Sequence, residues 1–438
     1  MKKNEINTRM REKIDREHYL DENGNPVTYS RQKRMNGGLI IILFIMICYG
    51  MVMLFSASMT EGFATQGNPM HFIQKQGLFT IVGIVIAISI AAFVPIRIFD
   101  NIAFVSILYI GTTFLLVATF IPTNSFLCGV SLNGARRWIR FLGIEQLQFQ
   151  PTEAAKVALI FCFAGYTSWV KKKRDKGGLV AKTHNRQVWY EGLVDIIVPA
   201  MAIGLWVVLI ILQPHISCLV IMAILTFFLF ITAKIPARSW VSGCAMLIAI
   251  LLVLVLVLIM VMPLLPEKVQ NYVDFNYVLN RIAIFNDPTS VNKDDMFQTT
   301  QSLNAIGSGG VFGVGIGNSI QKWGYLPMQY NDYIFSIIAE ELGIIGAGSV
   351  LLLFSIYLII GVKIASKAAT IYSSLIAFGY SILISLQAFL NIGVATKAIP
   401  PTGITLPFFS YGGTSTIFFF FAVGLLLCVS KSGVRIKK

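Results

Sequence analysis

Gly37-Gly38-Leu39-Ile40-Ile41-Ile42-Leu43-Phe44-Ile45-Met46-Ile47-Cys48-Tyr49-Gly50-Met51-Val52-Met53-Leu54-Phe55-Ser56-Ala57 contains no charged side chain. At 1.5 Å per residue, a helix of this length covers about 30 Å, the thickness of a bilayer's hydrocarbon core. Nine further apolar runs follow, at 77–94, 102–121, 153–170, 192–212, 215–232, 240–262, 332–361, 370–391 and 413–430. Only helices and closed barrels satisfy their own backbone hydrogen bonds in lipid, and runs of this length specify helices. The expected fold class is all-α: a polytopic membrane protein with about ten transmembrane helices and a large extracytoplasmic loop. Residues 1–36 form a polar N-terminal segment, 37–430 the membrane domain, and 431–438 a basic tail. The fifth and sixth runs are separated by little more than Gln213-Pro214, where the missing proline N–H breaks or kinks the helix. The eighth run is longer than a span needs, so it tilts or extends beyond the lipid.

Composition agrees. Hydrophobic residues are 55% of the 438 and charged residues 13%, against a usual charged share of about 25%. Mean hydropathy is +0.72. These values exclude a soluble enzyme, a disordered chain and a disulfide-stapled secreted domain. The six cysteines form no CxxC pair, so metal-cluster and redox-motif readings fail. The first 36 residues hold no early apolar stretch of the signal-peptide kind.

The net charge of +14 is read as membrane topology and not as nucleic-acid binding. Of the 35 Lys and Arg residues, 25 fall in the two termini and the loops on their side of ten spans, and 9 in the opposite loops. Basic residues collect in the cytoplasm, so both termini are expected there. One outward loop, about 263–331, is far longer than an ordinary connection. It holds Gly307-Ser308-Gly309-Gly310 and Gly313, Gly315 and Gly317, but no GKS or GKT ending, so it is not a phosphate loop.

Five constellations lie at outward ends of spans. Arg136-Arg137-Trp138-Ile139-Arg140 follows the third span. It reads either as interfacial snorkelling or as arginine forks binding an anionic lipid ligand. Pro151-Thr152-Glu153 is a helix start, and Glu153 shares a helix face with Lys156. That pair is either structural or a ligand contact just inside the membrane. His215 sits at the Pro214 break, as an interhelical hydrogen-bonder or a catalytic ring. Asn331-Asp332 enters the eighth span, as a helix cap or with Asp332 as a general base. Glu340 and Glu341 follow and argue for an inward polar cavity. Lys397 precedes a segment with Pro400, Pro401 and Pro407, then Ser410-Tyr411-Gly412-Gly413. Irregular backbone at this depth must line protein or a cavity, and Lys397 is a phosphate contact or a snorkelling lysine.

In this order on ten spans, the motifs resemble the SEDS family of shape, elongation, division and sporulation proteins. The carrying stretches are Asn133-Gly134-Ala135 with Arg137-Trp138-Ile139, Gln150-Pro151 with Glu153 and Lys156, and Gln301-Ser302 with Ala305-Ile306-Gly307-Ser308-Gly309-Gly310. Asp332-Tyr333-Ile334-Phe335 with Glu340-Glu341-Leu342-Gly343, and Leu406-Pro407 with Ser410-Tyr411-Gly412-Gly413, complete the set. Gln321-Lys322 with Tyr325-Leu326-Pro327 is more similar to the FtsW and SpoVE branch than to RodA. Two departures stand out: His215 follows Gln213-Pro214 where many members carry Asp, and Met328 follows Pro327 where members usually carry Glu.

The resemblance implies a peptidoglycan glycosyltransferase that polymerises lipid II, an undecaprenyl-pyrophosphate-linked disaccharide pentapeptide. It implies a class B penicillin-binding protein and other division or sporulation proteins as partners, and a place in the bacterial cell membrane at the division septum. The family's proposed catalytic Asp falls at Asp332. Arg136, Arg137, Trp138, Glu153, Lys156, Lys397 and Ser410 are the substrate-binding candidates. No metal ligand is assigned, although a divalent cation is compatible with a pyrophosphate leaving group. A lipid II flippase using the same cavity, or a non-catalytic scaffold for a penicillin-binding protein, are the alternatives.

The topology is open to test by thiol labelling from outside the cell on a cysteine-free background. Asp294→Cys is expected to be modified and Lys173→Cys spared. The reverse pattern would put every constellation above in the cytoplasm.

Overall fold

Each of the ten apolar runs forms a helix in the computed structural model, which describes residues 29–31, 35–121, 127–132, 135–141, 148–179, 183–213, 215–261, 293–431 and 434–436. The first three runs are α1 (Gly37–Gln66), α2 (His71–Phe93) and α3 (Ile102–Ala118). The fourth is α4 (Pro151–Asp175). The fifth is a continuous rod of α5 (His184–Gly192), a π turn over Leu193–Ile197, and α6 (Val198–Ile211). Next come α7 (Ile216–Thr232) and α8 (Ala237–Val261). A further helix, α9 (Lys293–Ser308), lies within the large loop, followed by α10 (Ile334–Ser366), α11 (Ile371–Ala395) and α12 (Gly413–Lys431). The break between the fifth and sixth runs falls where expected, between Ile211 and Ile216; Pro214 itself lies outside the described residues.

Helix ends are closed by local chemistry. The Asn36 side chain accepts from Leu39 N at 3.0 Å, and the left-handed Gly67 donates its N–H to Phe63 O at 3.0 Å. The last turn of α4 carries Lys172, Lys173 and Arg174, where cations favour the helix dipole.

Burial sorts the helices into layers. In α11 and α12, 78% and 67% of the most apolar window is buried, against 33% for α1 and α2. α4 is enclosed along most of its length. Thus α4, α11 and α12 form the centre, and α1, α2, α3 and α6 turn rows of Ile, Phe and Val outward. The enclosed helices can carry polar residues. Ser381, Ser385, Gln387 and Asn391 of α11 are all buried, which lipid contact would not tolerate.

Two features depart from the all-helical expectation. The segment after α3 is a small antiparallel sheet of β2 (Leu127–Leu132), β3 (Ala135–Phe141) and β4 (Gln148–Phe149). In addition, β1 (Tyr29–Arg31) pairs antiparallel with β5 (Val434–Ile436), joining the two ends of the described chain.

The eighth run is not one tilted helix. Gly343 has φ 66 and ψ −162, which breaks α10 into residues 334–342 and 344–366. Ala339, Glu340 and Glu341 there face a glycine-rich loop. A Cβ at Gly309 would lie 2.0 Å from Ala339 O, and one at Gly313 2.1 Å from Glu341 O. Only glycine permits that approach and the Gly343 conformation. The carbonyls freed by the break are recovered: Val314 N donates to Glu340 O and Gly315 N to Glu341 O, both at 3.0 Å.

Gly343→Ala is therefore expected to lower the melting temperature of the detergent-solubilised protein sharply. The backbone conformation alone costs about 1–3 kcal/mol in a non-glycine residue. Gly348→Ala, in open space one turn further along the helix, should be neutral or mildly stabilising. Equal melting of the two variants would show that the break is not held by Gly343.

Candidate active site

Asp332 begins from the sequence as either cap or base. The N-cap position of α10 belongs to Tyr333, so the cap reading for Asn331 and Asp332 does not hold. Asp332 is half-buried and stands against a second irregular segment, residues 396–412, which joins α11 to α12. Lys397, Gly403 and Phe408 all have positive φ in that segment.

Side-chain bonds from the surrounding helices fix the two segments. Asn391 of α11 donates from one amide nitrogen to Asp332 O at 2.7 Å and to Ile404 O at 2.6 Å. Ser410 donates to Asn331 O at 2.5 Å and accepts from Leu406 N at 2.8 Å. Tyr411 N donates to Tyr330 O at 2.9 Å. Gln76 of α2 accepts from Gly412 N and donates to Thr416 of α12. Gly403 faces the Asp332 carboxylate: a Cβ there would lie 3.6 Å from Oδ2. Phe72 packs against Tyr330, tilted, and Tyr411, edge to face, at centroid distances of 4.5 and 5.2 Å, which walls one side. Burial pushes both tyrosine hydroxyls above their usual pKa, so they remain neutral donors.

The other constellations gather at this end through α7. Ser217, two residues beyond His215, donates to Thr402 O in the irregular segment. Its neighbour Cys218 lies against Thr152 O at the start of α4. Lys156 and Glu153 form a buried ion pair at 2.8 Å, which is the structural reading of that pair. Burial makes it costly to remove one partner. His215 is 8% exposed, consistent with a packed ring at the helix break.

The sheet connects the arginine motif to the same place. Ile139 pairs with Phe149 and Arg140 with Gln148. Extending that register brings Trp138 and Arg137 level with Gln150 and Pro151, at the start of α4. The β2–β3 register skips Arg137 between the Val130–Trp138 and Ser131–Arg136 pairs, so Arg137 is the bulge residue. Bulges re-aim side chains beside functional sites. The side chain of Arg136 lies outside the described residues, as do Asn133 and Gly134.

Lys397 is exposed just past the end of α11. One expectation is not met here. Glu340 and Glu341 do not line an open polar cavity. Both are at most 1% exposed and held by protein groups: Glu341 by Lys322 at 3.0 Å and Ser56 at 2.7 Å, and Glu340 by Ile320 N at 2.9 Å. Sequence reasoning also missed Asn391 and Gln76. The available signal was an uncapped amide inside an apolar helical run, Phe389-Leu390-Asn391-Ile392 for the first.

A family described as "Cell cycle protein", grouping FtsW, RodA and SpoVE, matches residues 37–434. The "Probable peptidoglycan glycosyltransferase FtsW" of Thioalkalivibrio sulfidiphilus is 32% identical over 407 residues, covering 92% of this chain and 91% of the relative. "Stage V sporulation protein E" of Bacillus subtilis is 34% identical over 395 residues, 90% of this chain and 96% of the relative. Among solved structures, a chain from "Structural coordination of polymerization and crosslinking by a peptidoglycan synthase complex" aligns with TM-score 0.64 at 24% identity, over 90% of this chain and 97% of the other. The rod shape determining protein RodA of Thermus thermophilus aligns with TM-score 0.57 at 22% identity, over 90% and 96%. These two share the fold. With apolar helices of spanning length packed around a polar interior, and matched almost end to end, this chain is an integral membrane protein that belongs to the FtsW/RodA/SpoVE, or SEDS, family.

Proposed function

We propose that the protein is a peptidoglycan glycosyltransferase that polymerises lipid II at the outer face of the bacterial cytoplasmic membrane, with Asp332 as the general base. Its relatives bear the names of a division glycosyltransferase and a sporulation protein, which supports a role in division or sporulation, at the septum, beside a class B penicillin-binding protein. The 25-to-9 basic asymmetry supports cytoplasmic termini and an outward site. The observation that carries the catalytic assignment is that the Asp332 backbone is clamped by Asn391 while its carboxylate faces Gly403 in the irregular segment before α12, one residue ahead of the N-cap position of α10.

The chemistry follows from those groups. A sugar hydroxyl of the acceptor attacks the anomeric carbon of the donor. The new C–O bond forms as the bond to pyrophosphate breaks, and the pyrophosphate leaves with the electron pair. A neutral hydroxyl is a poor nucleophile, so Asp332 takes its proton as the bond forms. Charge gathers on the leaving group, and the fork of Arg137 at the β-bulge suits a phosphate. Arg136 and Lys397 are further clamp candidates; Trp138 suits the headgroup region, and Ser410 holds the Asp332 segment. Among the described residues no three His, Cys, Asp or Glu side chains converge as a metal cage, and no step above runs through a metal.

The test is polymerisation of fluorescent lipid II by purified protein, with thermal melting alongside. Asp332→Asn is expected to lower turnover by about 10²–10⁴-fold with little change in melting. Near-normal polymer from folded Asp332→Asn protein would remove Asp332 from the mechanism. In the same assay, Arg137→Lys keeps the charge but loses the bidentate fork, so turnover should fall without loss of folding. Full activity in Arg137→Lys would leave that arginine as an interfacial residue only.

A further inference from the structure

The large loop reads as polar in sequence, but its second half presents the opposite surface. Residues 311–330 contain one charged side chain, Lys322. It is 0% exposed, with its ammonium 3.0 Å from the equally buried Glu341 and 3.3 Å from Ser56 Oγ. The only charge is thus turned inward and neutralised. What faces outward is apolar: Phe312 is 80% exposed, Ile316 57%, Ile320 63%, Trp323 66% and Tyr325 53%. An exposed apolar patch of this kind marks an interaction surface.

Much of the loop's backbone is bonded to protein. Non-helical chain at membrane depth must have its polar groups satisfied by protein. Here Gly313, Val314 and Gly315 donate to Gly309 O, Glu340 O and Glu341 O, and Ile320 donates to the Glu340 carboxylate. Trp323 donates to Ile320 O and Leu326 to Gln321 O. The hydrogen bonds run toward α10 and within the loop, and the side chains run away from it.

The level of the loop follows from its contacts. Ile344 N donates to Gly310 O and Ile345 N to Val311 O. Ile344 and Ile345 are 69% and 57% exposed and begin the outward row that Leu352 and Ile359 continue along α10. From Gly343 to Ser366 the helix rises about 34 Å at 1.5 Å per residue, slightly more than the roughly 30 Å hydrocarbon core. Lys363 and Lys367 are exposed at the far end and mark one membrane interface. Gly343 therefore lies at the other interface, and the loop lies beside it with Trp323 and Tyr325 on its surface. Those two residue types are the ones that favour the headgroup boundary.

We propose that residues 311–325 are immersed in the outer edge of the bilayer, as a lipid-contacting cuff continuous with the lipid-facing side of α10. The occupant of the patch is lipid, because the patch adjoins the exposed apolar row of a helix long enough to span the bilayer and carries no exposed charge with which a soluble partner would be recognised. The inference does not depend on the proposed chemistry at Asp332.

The unmodified full-length protein, in nanodiscs of phosphatidylethanolamine and phosphatidylglycerol, supplies the test. A diazirine carried on a lipid acyl chain is photolysed, and labelled peptides are mapped by mass spectrometry. In a parallel sample, hydroxyl radicals report exposure to water. Labelling of 311–325 by the acyl diazirine, at a yield comparable with 344–359, together with loss of hydroxyl-radical oxidation at Phe312 and Trp323, is the expected result. Oxidation by hydroxyl radicals without diazirine labelling would overturn the proposal, because the patch would then face water. Absence of both would overturn it as well, because a protein surface would then cover the patch. Neither result would bear on whether Asp332 acts as a base, which is read by the polymerisation assay.

Discussion

A peptide group placed in lipid has no water to bond, and that constraint shapes each irregular part of this molecule. Where α10 breaks at Gly343, amides of the glycine-rich loop take up the carbonyls of Glu340 and Glu341. Where α11 ends, the chain to α12 runs through prolines that lack donors, and Asn391, Ser217 and Ser410 supply bonds to its carbonyls and to its neighbour. The two irregular stretches are thus permitted by the same device, polar groups drawn from enclosed helices. An amide such as Asn391 can occupy α11 because that helix is surrounded by α4, α10 and α12 and not by acyl chains.

This arrangement explains why the candidate site sits where helices stop. Asp332 belongs to the last turn before α10, Thr402 and Ser410 to the segment before α12, Ser217 to the first turn of α7, and Glu153 to the first turn of α4. Helix starts bring backbone N–H groups and a positive dipole to one place. The bulge at Arg137 adds a cation in the sheet that leads into α4. On the proposed function, these features suit a ligand that carries phosphate at one end and a lipid tail at the other.

The spans were legible because a run of about 20 apolar residues has few other uses. Glu153 and Lys156 were legible as a pair because helical spacing alone puts them together. Other features were hidden for physical reasons. The β2–β3 hairpin is short, and its Asn133-Gly134 dipeptide, which favours two-residue hairpin turns, sits inside a motif whose arginines dominate the reading. The break at Gly343 was invisible because Leu342-Gly343-Ile344-Ile345 reads as ordinary helix, glycine being common in membrane spans. The role of Glu341 depends on Ser56, 285 residues away in sequence, and no local pattern reports such a partner. Asp332 was placed as an alternative between cap and base, because the local sequence does not show that Tyr333 takes the N-cap position.

The interruption of α10 also resets rotational phase. An unbroken helix turns through a fixed angle per residue, so the side that meets lipid in residues 344–366 would dictate which side meets it in residues 334–342. With Gly343 outside helical geometry, the two pieces have independent azimuths. The outer piece can then be enclosed on all sides, as residues 333–341 are without exception, while Ile344 and Ile345 next to them are exposed. The start of the helix that follows Asp332 is for that reason oriented by its protein neighbours, and its azimuth is not dictated by the face that residues 344–366 turn outward.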